Sequence, residues 1–358
     1  MASTPHTSHG NSLLCALCTD SEERRIKIGT PEPGKTFNDF LTYLRNLVSA
    51  GGPEPEEYDR ITSSLQNLSV IIGSCGLRHD HIRKIRDALG PAMTTESMQG
   101  FALHKLYGYA GDFDIIDRIY TQRVSSDARI ARWDRFFHNT HAPIAVRNRK
   151  TYFKKLLNEL LARHKGATQP IRVLNVASGP ARDLYEFFCE HGDPRIHFDC
   201  IETDPLAINH ASLLCKDFLE QITFHQVNAF RFTSDKRYDL VWSAGLFDYF
   251  PDRLFVRLLR KLVNLAKSDA ELVIGNFGSE NKSRAYMELV GDWHLHHREF
   301  KKLLSLTMEI GLPAESVTVE QEPSGLNLFL RIVQPNADQQ KGVAARTVRC
   351  SAPLPCRP

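Results

Sequence analysis

RVLNVASGPARDL, from Arg172 to Leu184, is the stretch on which the reading of this chain turns. Val173 to Val176 is strand-like and runs into a turn of small residues, Ala177-Ser178-Gly179-Pro180-Ala181; an apolar-rich, helix-compatible run opens near Asp183. A strand that ends in a turn without bulky side chains lets the backbone approach a ligand closely, and the helix start offers free N–H groups. In an α/β sheet, nucleotide-like molecules sit at the carboxyl end of the first strand. Taken alone, the same turn would serve as a tight connection.

Downstream the chain alternates. Strands are expected at 171–176, 196–202, 221–226, 238–244 and 270–276, with helices near 181–190, 205–219 and 251–267. Such alternation implies parallel β-α-β units. A helix near 298–310 precedes apolar segments at 315–321 and 326–333, and the short Glu322-Pro323-Ser324-Gly325 connection predicts that these two pair antiparallel. Upstream, from Phe37 to His164, apolar spacing is helical, as in Tyr152-Phe153-Leu156-Leu157-Leu160-Leu161. Gly51-Gly52-Pro53 separates the first helix from one through Tyr58 to Ile72. The expected organisation is a mobile segment over 1–35, an all-helical domain over 36–165, an α/β domain over 166–334 and a disordered tail over 335–358.

Composition narrows the classes. The chain has 358 residues, 42% hydrophobic and 24% charged, as a soluble globular protein does. A net charge of +3 gives no argument for nucleic acid or an anionic membrane. Its apolar runs are shorter than the roughly 20 residues a bilayer span needs. The first thirty residues do not read as a secretory signal, so the cytoplasm is the expected compartment. Among eight cysteines, Cys15 and Cys18 form a CxxC, and Cys350 and Cys356 lie far away; a zinc site joining the two ends is rejected.

The residues that carry chemistry gather at strand ends. Glu202 closes the second strand 23 residues after Gly179, where an acid accepts hydrogen bonds from both ribose hydroxyls. Thr203 stands beside it, and Asp204-Pro205 reads as a helix cap. The third strand ends at Val227-Asn228-Ala229, where a side-chain amide offers an adenine edge both a donor and an acceptor, or simply makes a turn. The fourth, YDLVWS from Tyr238 to Ser243, leads into Ala244-Gly245, again small residues on the same edge.

Together these features resemble a class I S-adenosylmethionine-dependent methyltransferase over 171–333. The resemblance implies a Rossmann-like seven-stranded sheet in the order 3-2-1-4-5-7-6 with the last strand antiparallel. It also implies S-adenosyl-L-methionine as cofactor: Ala177, Ser178 and Gly179 at its methionine part, Glu202 at the ribose, and Asn228 with Ala229 at the adenine. Two positions depart from the family pattern. Asn175 replaces the usual acid of the first strand, and Ala177 and Ala181 replace the glycines flanking Gly179. The segment LYGYAGDFDIIDRIY (Leu106 to Tyr120), Ala145 to Arg149, Gly291 to Arg298 and Gly325 to Leu330 are similar to the bacterial subgroup that includes enzymes making 3-hydroxy fatty acid methyl esters. That similarity implies a small-molecule acceptor and O-methylation of a carboxylate. N-methylation of a specialised metabolite is the alternative, and a non-catalytic S-adenosylmethionine-binding protein the alternative from another class. A nicotinamide dehydrogenase fits poorly, because GxGxxG is absent.

Catalytic candidates follow from the transfer chemistry. A carboxylate acceptor is ionised at pH 7 and needs no base, whereas an amine or hydroxyl would use a histidine. Tyr107 and Tyr109, around Gly108 and Gly111, could fold over the cofactor and face its sulfonium, or be half-buried helix-end residues. His294 and His296, near Trp293, His297 and Arg298, are placed beside the acceptor or in a solvated loop, and their spacing does not suit a metal. Arg147 or Arg149 could bind a carboxylate, with Arg147 the named candidate, or pair with Asp112 or Asp114. Oligomeric state is left open, a homodimer included.

Overall fold

The computed structural model describes residues 33–74 and 78–334. The mobile segment and tail expected at the two ends, and the cysteine pairs within them, lie outside the described residues, apart from Pro33–Lys35 at the start of the first helix.

Before the sheet come α1 (Pro33–Ser49), α2 (Tyr58–Ser74), α3 (Arg78–Leu89), α4 (Met98–His104), α5 (Phe113–Thr121), α6 (Ala128–Asn139) and α7 (His141–Arg163). The expected break at Gly51-Gly52 is present, and both glycines take positive φ. Then follow β1 (Ile171–Val176), α8 (Arg182–His191), β2 (Ile196–Glu202), α9 (Pro205–Leu214), β3 (Ile222–Gln226), β4 (Tyr238–Ser243), α10 (Asp252–Val263), β5 (Ala266–Phe277), α11 (Arg284–Leu289), α12 (Phe300–Met308), β6 (Val317–Gln321) and β7 (Asn327–Val333).

The sheet order is β3-β2-β1-β4-β5-β7-β6. β1 pairs parallel with β2 and β4, and β7 runs antiparallel to both β5 and β6. The fold is the expected Rossmann-like methyltransferase sheet. β5 begins at Ala266, four residues before its expected start, and two helices end early. The helix expected over 251–267 stops at Val263, because the Leu265 carbonyl accepts the Tyr238 N–H and turns the chain into the sheet. The helix expected over 205–219 stops at Leu214, and a 3-10 turn over Lys216–Phe218 takes its place.

Both sheet faces are buried, so the central strands read as continuous apolar runs. One face packs on α10 and α12 through Phe255, Leu259, Leu262, Leu303 and Leu306. The other packs on α7 and α8, where the Phe153 ring stacks on Trp242 at 4.5 Å. A third core lies beneath the N-terminal helices and takes in Phe277, Tyr286, Met287 and Leu289 from the other side of the sheet region. That insertion brings α11 against α2 and places a helical wall over the carboxyl edge of the sheet.

Candidate active site

The turn after β1 shows why its residues are small. Ala177, Gly179 and Ala181 have φ of +57°, +55° and +52°. For alanine the left-handed region costs about 1–2 kcal/mol per residue. Hydrogen bonds across the edge hold the turn: the Ala177 and Ser178 N–H groups donate to the Ile201 carbonyl at 2.8 and 3.2 Å. The Gly179 N–H donates to Glu202 Oε2 at 3.1 Å. Glu202 Oε1 accepts the N–H groups of Thr203 and Asp204, at 2.7 and 3.1 Å. Among the described residues Oε2 accepts this one hydrogen bond, which leaves a lone pair for a ligand hydroxyl.

These residues line a cavity of about 530 Å³ with Asn175, Ala177, Ser178, Gly179, Glu202, Thr203 and Gly245 on its walls. Its size is that of a small-molecule site. Two polar atoms inside are buried without a hydrogen-bond partner, Asn175 Nδ2 and Ser178 Oγ. Such atoms cost free energy unless a ligand or water satisfies them, so the residues present fit a nucleotide with a polar tail. Asp183, which the sequence reading passed over, is on the same wall. Burial pushes its carboxyl up to about 6.

Three other cofactor candidates lie elsewhere. Asn228 spends its side-chain oxygen on the Phe230 N–H at 2.9 Å, the turn alternative, and Ala229 packs into the core beneath. Ser243 is fully buried and donates to the Val176 carbonyl at 3.1 Å, tying β4 to β1. None of the three lines the cavity.

Beside the first cavity is a smaller chamber of about 50 Å³, largely apolar. Its walls come from α4 to α7 and from 277–295, with Phe137, Val146, Phe277, Met287 and Trp293 among them. Gly111, Ile116, Arg149, Gly245 and Tyr249 border both spaces. At this seam Arg149 donates from Nη1 to the Ala244 carbonyl at 3.2 Å and from Nε to the Tyr120 hydroxyl at 3.4 Å. The expectation that Arg147 is the acid-binding arginine is therefore corrected: its Nη2 donates to the His138 carbonyl at 2.8 Å, outside both cavities. One helical turn holds 3.6 residues, so positions 147 and 149 face different sides of α7. Neither arginine pairs with Asp112, which caps α5, or with Asp114, which pairs with Arg118.

The tyrosines also separate. Tyr109 lines the larger cavity and donates to Asp204 Oδ2 at 2.9 Å, bridging residues 105–112 to the loop after β2. Tyr107 is outside the lining and packs on Phe113 at 4.5 Å between ring centroids, the helix-end alternative. Of the histidines, His294 reaches the rim of the larger cavity beside Asp292, whereas His296 is exposed and lines neither space. Arg298 is buried and donates to the Phe247 carbonyl and to Asn276 Oδ1, at 3.2 and 2.7 Å.

Asp248 and Tyr249 were unremarkable in sequence, yet both border the chamber. Asp248 accepts the Phe277 N–H at 2.7 Å, and burial raises its carboxyl to about 6. Tyr249 donates to the Ala110 carbonyl and accepts from Trp293 Nε1, both at 2.9 Å.

The sheet order and the cavity at its carboxyl edge define a Rossmann-like methyltransferase architecture. The chain belongs to the family described as "Putative methyltransferase", whose profile matches residues 50–276. That match includes most of the helical region as well as the first five strands. No curated protein matches the chain significantly. Among solved structures, a "possible exported protein" from Bordetella parapertussis is 18% identical, with a TM-score of 0.53 over 85% of this chain and 97% of that one. A magnesium protoporphyrin IX methyltransferase from Synechocystis PCC 6803 with bound S-adenosylmethionine is 12% identical, with a TM-score of 0.45 over 66% and 97%. An N-methyltransferase from Bradyrhizobium japonicum WM9 is 15% identical, with a TM-score of 0.36 over 52% and 98%.

Proposed function

We propose that the protein transfers a methyl group from S-adenosyl-L-methionine to a small-molecule carboxylate. The observation that carries this reading is the pair of spaces meeting at Arg149, Gly245 and Tyr249: one nucleotide-sized with polar groups at the strand ends, the other smaller and largely apolar. Bound in the larger space, the cofactor supplies a methyl group on a sulfonium.

Every other part is supplied by the chain. Glu202 receives the ribose hydroxyls, and the turn at 177–179 lets the amino-acid end approach the backbone. Tyr109, tethered to Asp204, covers the cavity mouth. The helical region, taken as 36–165, closes over the acceptor and excludes water, which favours in-line displacement between oriented groups. Arg149 orients an acceptor carboxylate at the seam with charge-assisted hydrogen bonds. No base is required, because the carboxylate arrives ionised.

N-methylation is the second reading, and Asp248 favours it: its carboxylate borders the chamber and would hold an amine. Among the described residues no helix is long and apolar enough to cross a membrane.

Calorimetry with S-adenosylmethionine, S-adenosylhomocysteine and NAD tests the cofactor, and labelled-methyl transfer to a panel of acids and amines tests the acceptor. Binding of both sulfur nucleotides and labelling of an acid are expected. Binding of NAD alone would sink the reading; labelling of amines alone moves it to N-methylation. Nucleotide binding without turnover of any acceptor would favour a non-catalytic role.

A further inference from the structure

The larger cavity holds a buried carboxylate that the ribose contact leaves unused, Asp183 in the first turn of α8. Its Oδ1 accepts the Leu184 N–H at 2.9 Å. The basic side chains around it are engaged elsewhere. Arg182 pairs with Asp117, Lys150 with Glu186 at 2.6 Å, and Arg149 with the Tyr120 hydroxyl and the Ala244 carbonyl. Asp183 is thus left without a direct ion pair among the described residues.

A buried carboxylate in this state gains from a cation brought by a ligand, and burial has already raised its pKa. The position also favours a negative charge, since the N-terminus of a helix carries the positive end of its dipole.

On the same lining the strand presents a neutral group. Asn175 Nδ2 is buried and has no hydrogen-bond partner. An amide at this place can satisfy a hydrogen bond, but it cannot neutralise an ammonium. The zwitterionic tail of S-adenosylmethionine needs a negative group; of the two lining carboxylates without an ion pair, Glu202 is already taken up by the N–H groups of residues 179, 203 and 204, which leaves Asp183.

Resting on the cofactor reading above, we propose that Asp183 on the helix, rather than residue 175 on the strand, holds the α-ammonium of the nucleotide's amino-acid end. Asn175 then contributes a neutral hydrogen bond to the same tail. The anchor has moved from the last residues of β1 to the first turn of α8, and Asn175 becomes a compensated substitution rather than a sign of lost function.

The test compares S-adenosylhomocysteine with 5′-methylthioadenosine, which has the same nucleoside but no amino-acid end, by calorimetry on the full chain. Asp183→Asn should weaken S-adenosylhomocysteine roughly 10–100-fold, the scale of a lost charged hydrogen bond, and leave methylthioadenosine unchanged. Adding Asn175→Asp to Asp183→Asn should recover part of the loss by returning the charge to the strand. Unchanged S-adenosylhomocysteine affinity in Asp183→Asn overturns the inference. So does an equal loss for both ligands, which would assign Asp183 to the shape of the turn. If the wild-type chain binds neither ligand, the cofactor reading itself falls and this inference with it.

Discussion

The two cavities share Arg149 and Gly245 but are built in opposite ways. The larger one is assembled from short segments at successive strand ends, 175–183, 202–203 and 242–246, together with residues from 105–120. Its polarity comes from backbone N–H groups and a few side chains held by local turns. The smaller one draws wall residues from Gln99 to Leu295, and their apposition depends on α11 packing into the helical core. A ligand that must fit many chemistries of one class is held by local geometry; an acceptor is selected by long-range packing, which can vary while the sheet stays constant.

The strongest way to break that division is at the seam. A Cβ on Gly111 would stand 2.4 Å from the Tyr249 hydroxyl and 2.8 Å from the Trp293 ring, on a backbone with φ of +70°. Gly111→Val should cost about 3–5 kcal/mol through strain and overpacking, read by urea unfolding. Nucleotide binding and turnover should fall together; retention of either would show that the two spaces are independent.

Asp248 tests the chamber through pH. Its folded-state pKa of about 6 lies above the ordinary carboxylate value, so the native state binds the extra proton between roughly pH 4 and 6. Native stability is therefore lost as pH rises through that window. Asp248→Asn should be more stable than wild type by about 2–3 kcal/mol above pH 6, with the difference vanishing near pH 4. Parallel melting curves at both ends of the range would refute the assignment.

Two substitutions should separate the cavities. Glu202→Ala removes the proposed ribose contact and frees the Gly179, Thr203 and Asp204 N–H groups. S-adenosylhomocysteine affinity should fall by about 1.5–3 kcal/mol in calorimetry, with acceptor KM little changed. Arg149→Gln should do the reverse, lowering kcat/KM for an acid roughly 10–100-fold while nucleotide affinity holds. Loss of nucleotide affinity in that variant would give the guanidinium to the cofactor's carboxylate instead. The smallest effect is expected from Tyr109→Phe, which deletes the bond to Asp204 and should speed nucleotide release several-fold, about 0.5–1.5 kcal/mol in stopped-flow measurements.

Legibility in the sequence follows the same division. VASGPA and Glu202 were readable because a turn, its strand and its acid lie within one β-α-β unit, where spacing fixes geometry. Asn228 and Ser243 show the limit of such spacing. Each stands at a strand end as expected, but the Asn228 side chain caps its own turn, and that of Ser243 crosses to a neighbouring strand. Arg147 and Arg149 were indistinguishable until the facing of α7 was known. Asp183 had a signal, an acid in the first helical turn, but that signal reads first as a helix-dipole partner.

The sequence by itself determined the order of elements, the parallel sheet with its antiparallel end, and the small-residue turn after β1. These depend on hydrophobic period, turn chemistry and short spacings, all local properties. Only the tertiary structure decided which arginine faces the site, that Asp183 and Asp248 are buried charges beside cavities, and that residues 284–295 join the helical core to make the chamber. Burial and facing are set by segments far apart in the chain, and no local pattern carries that information.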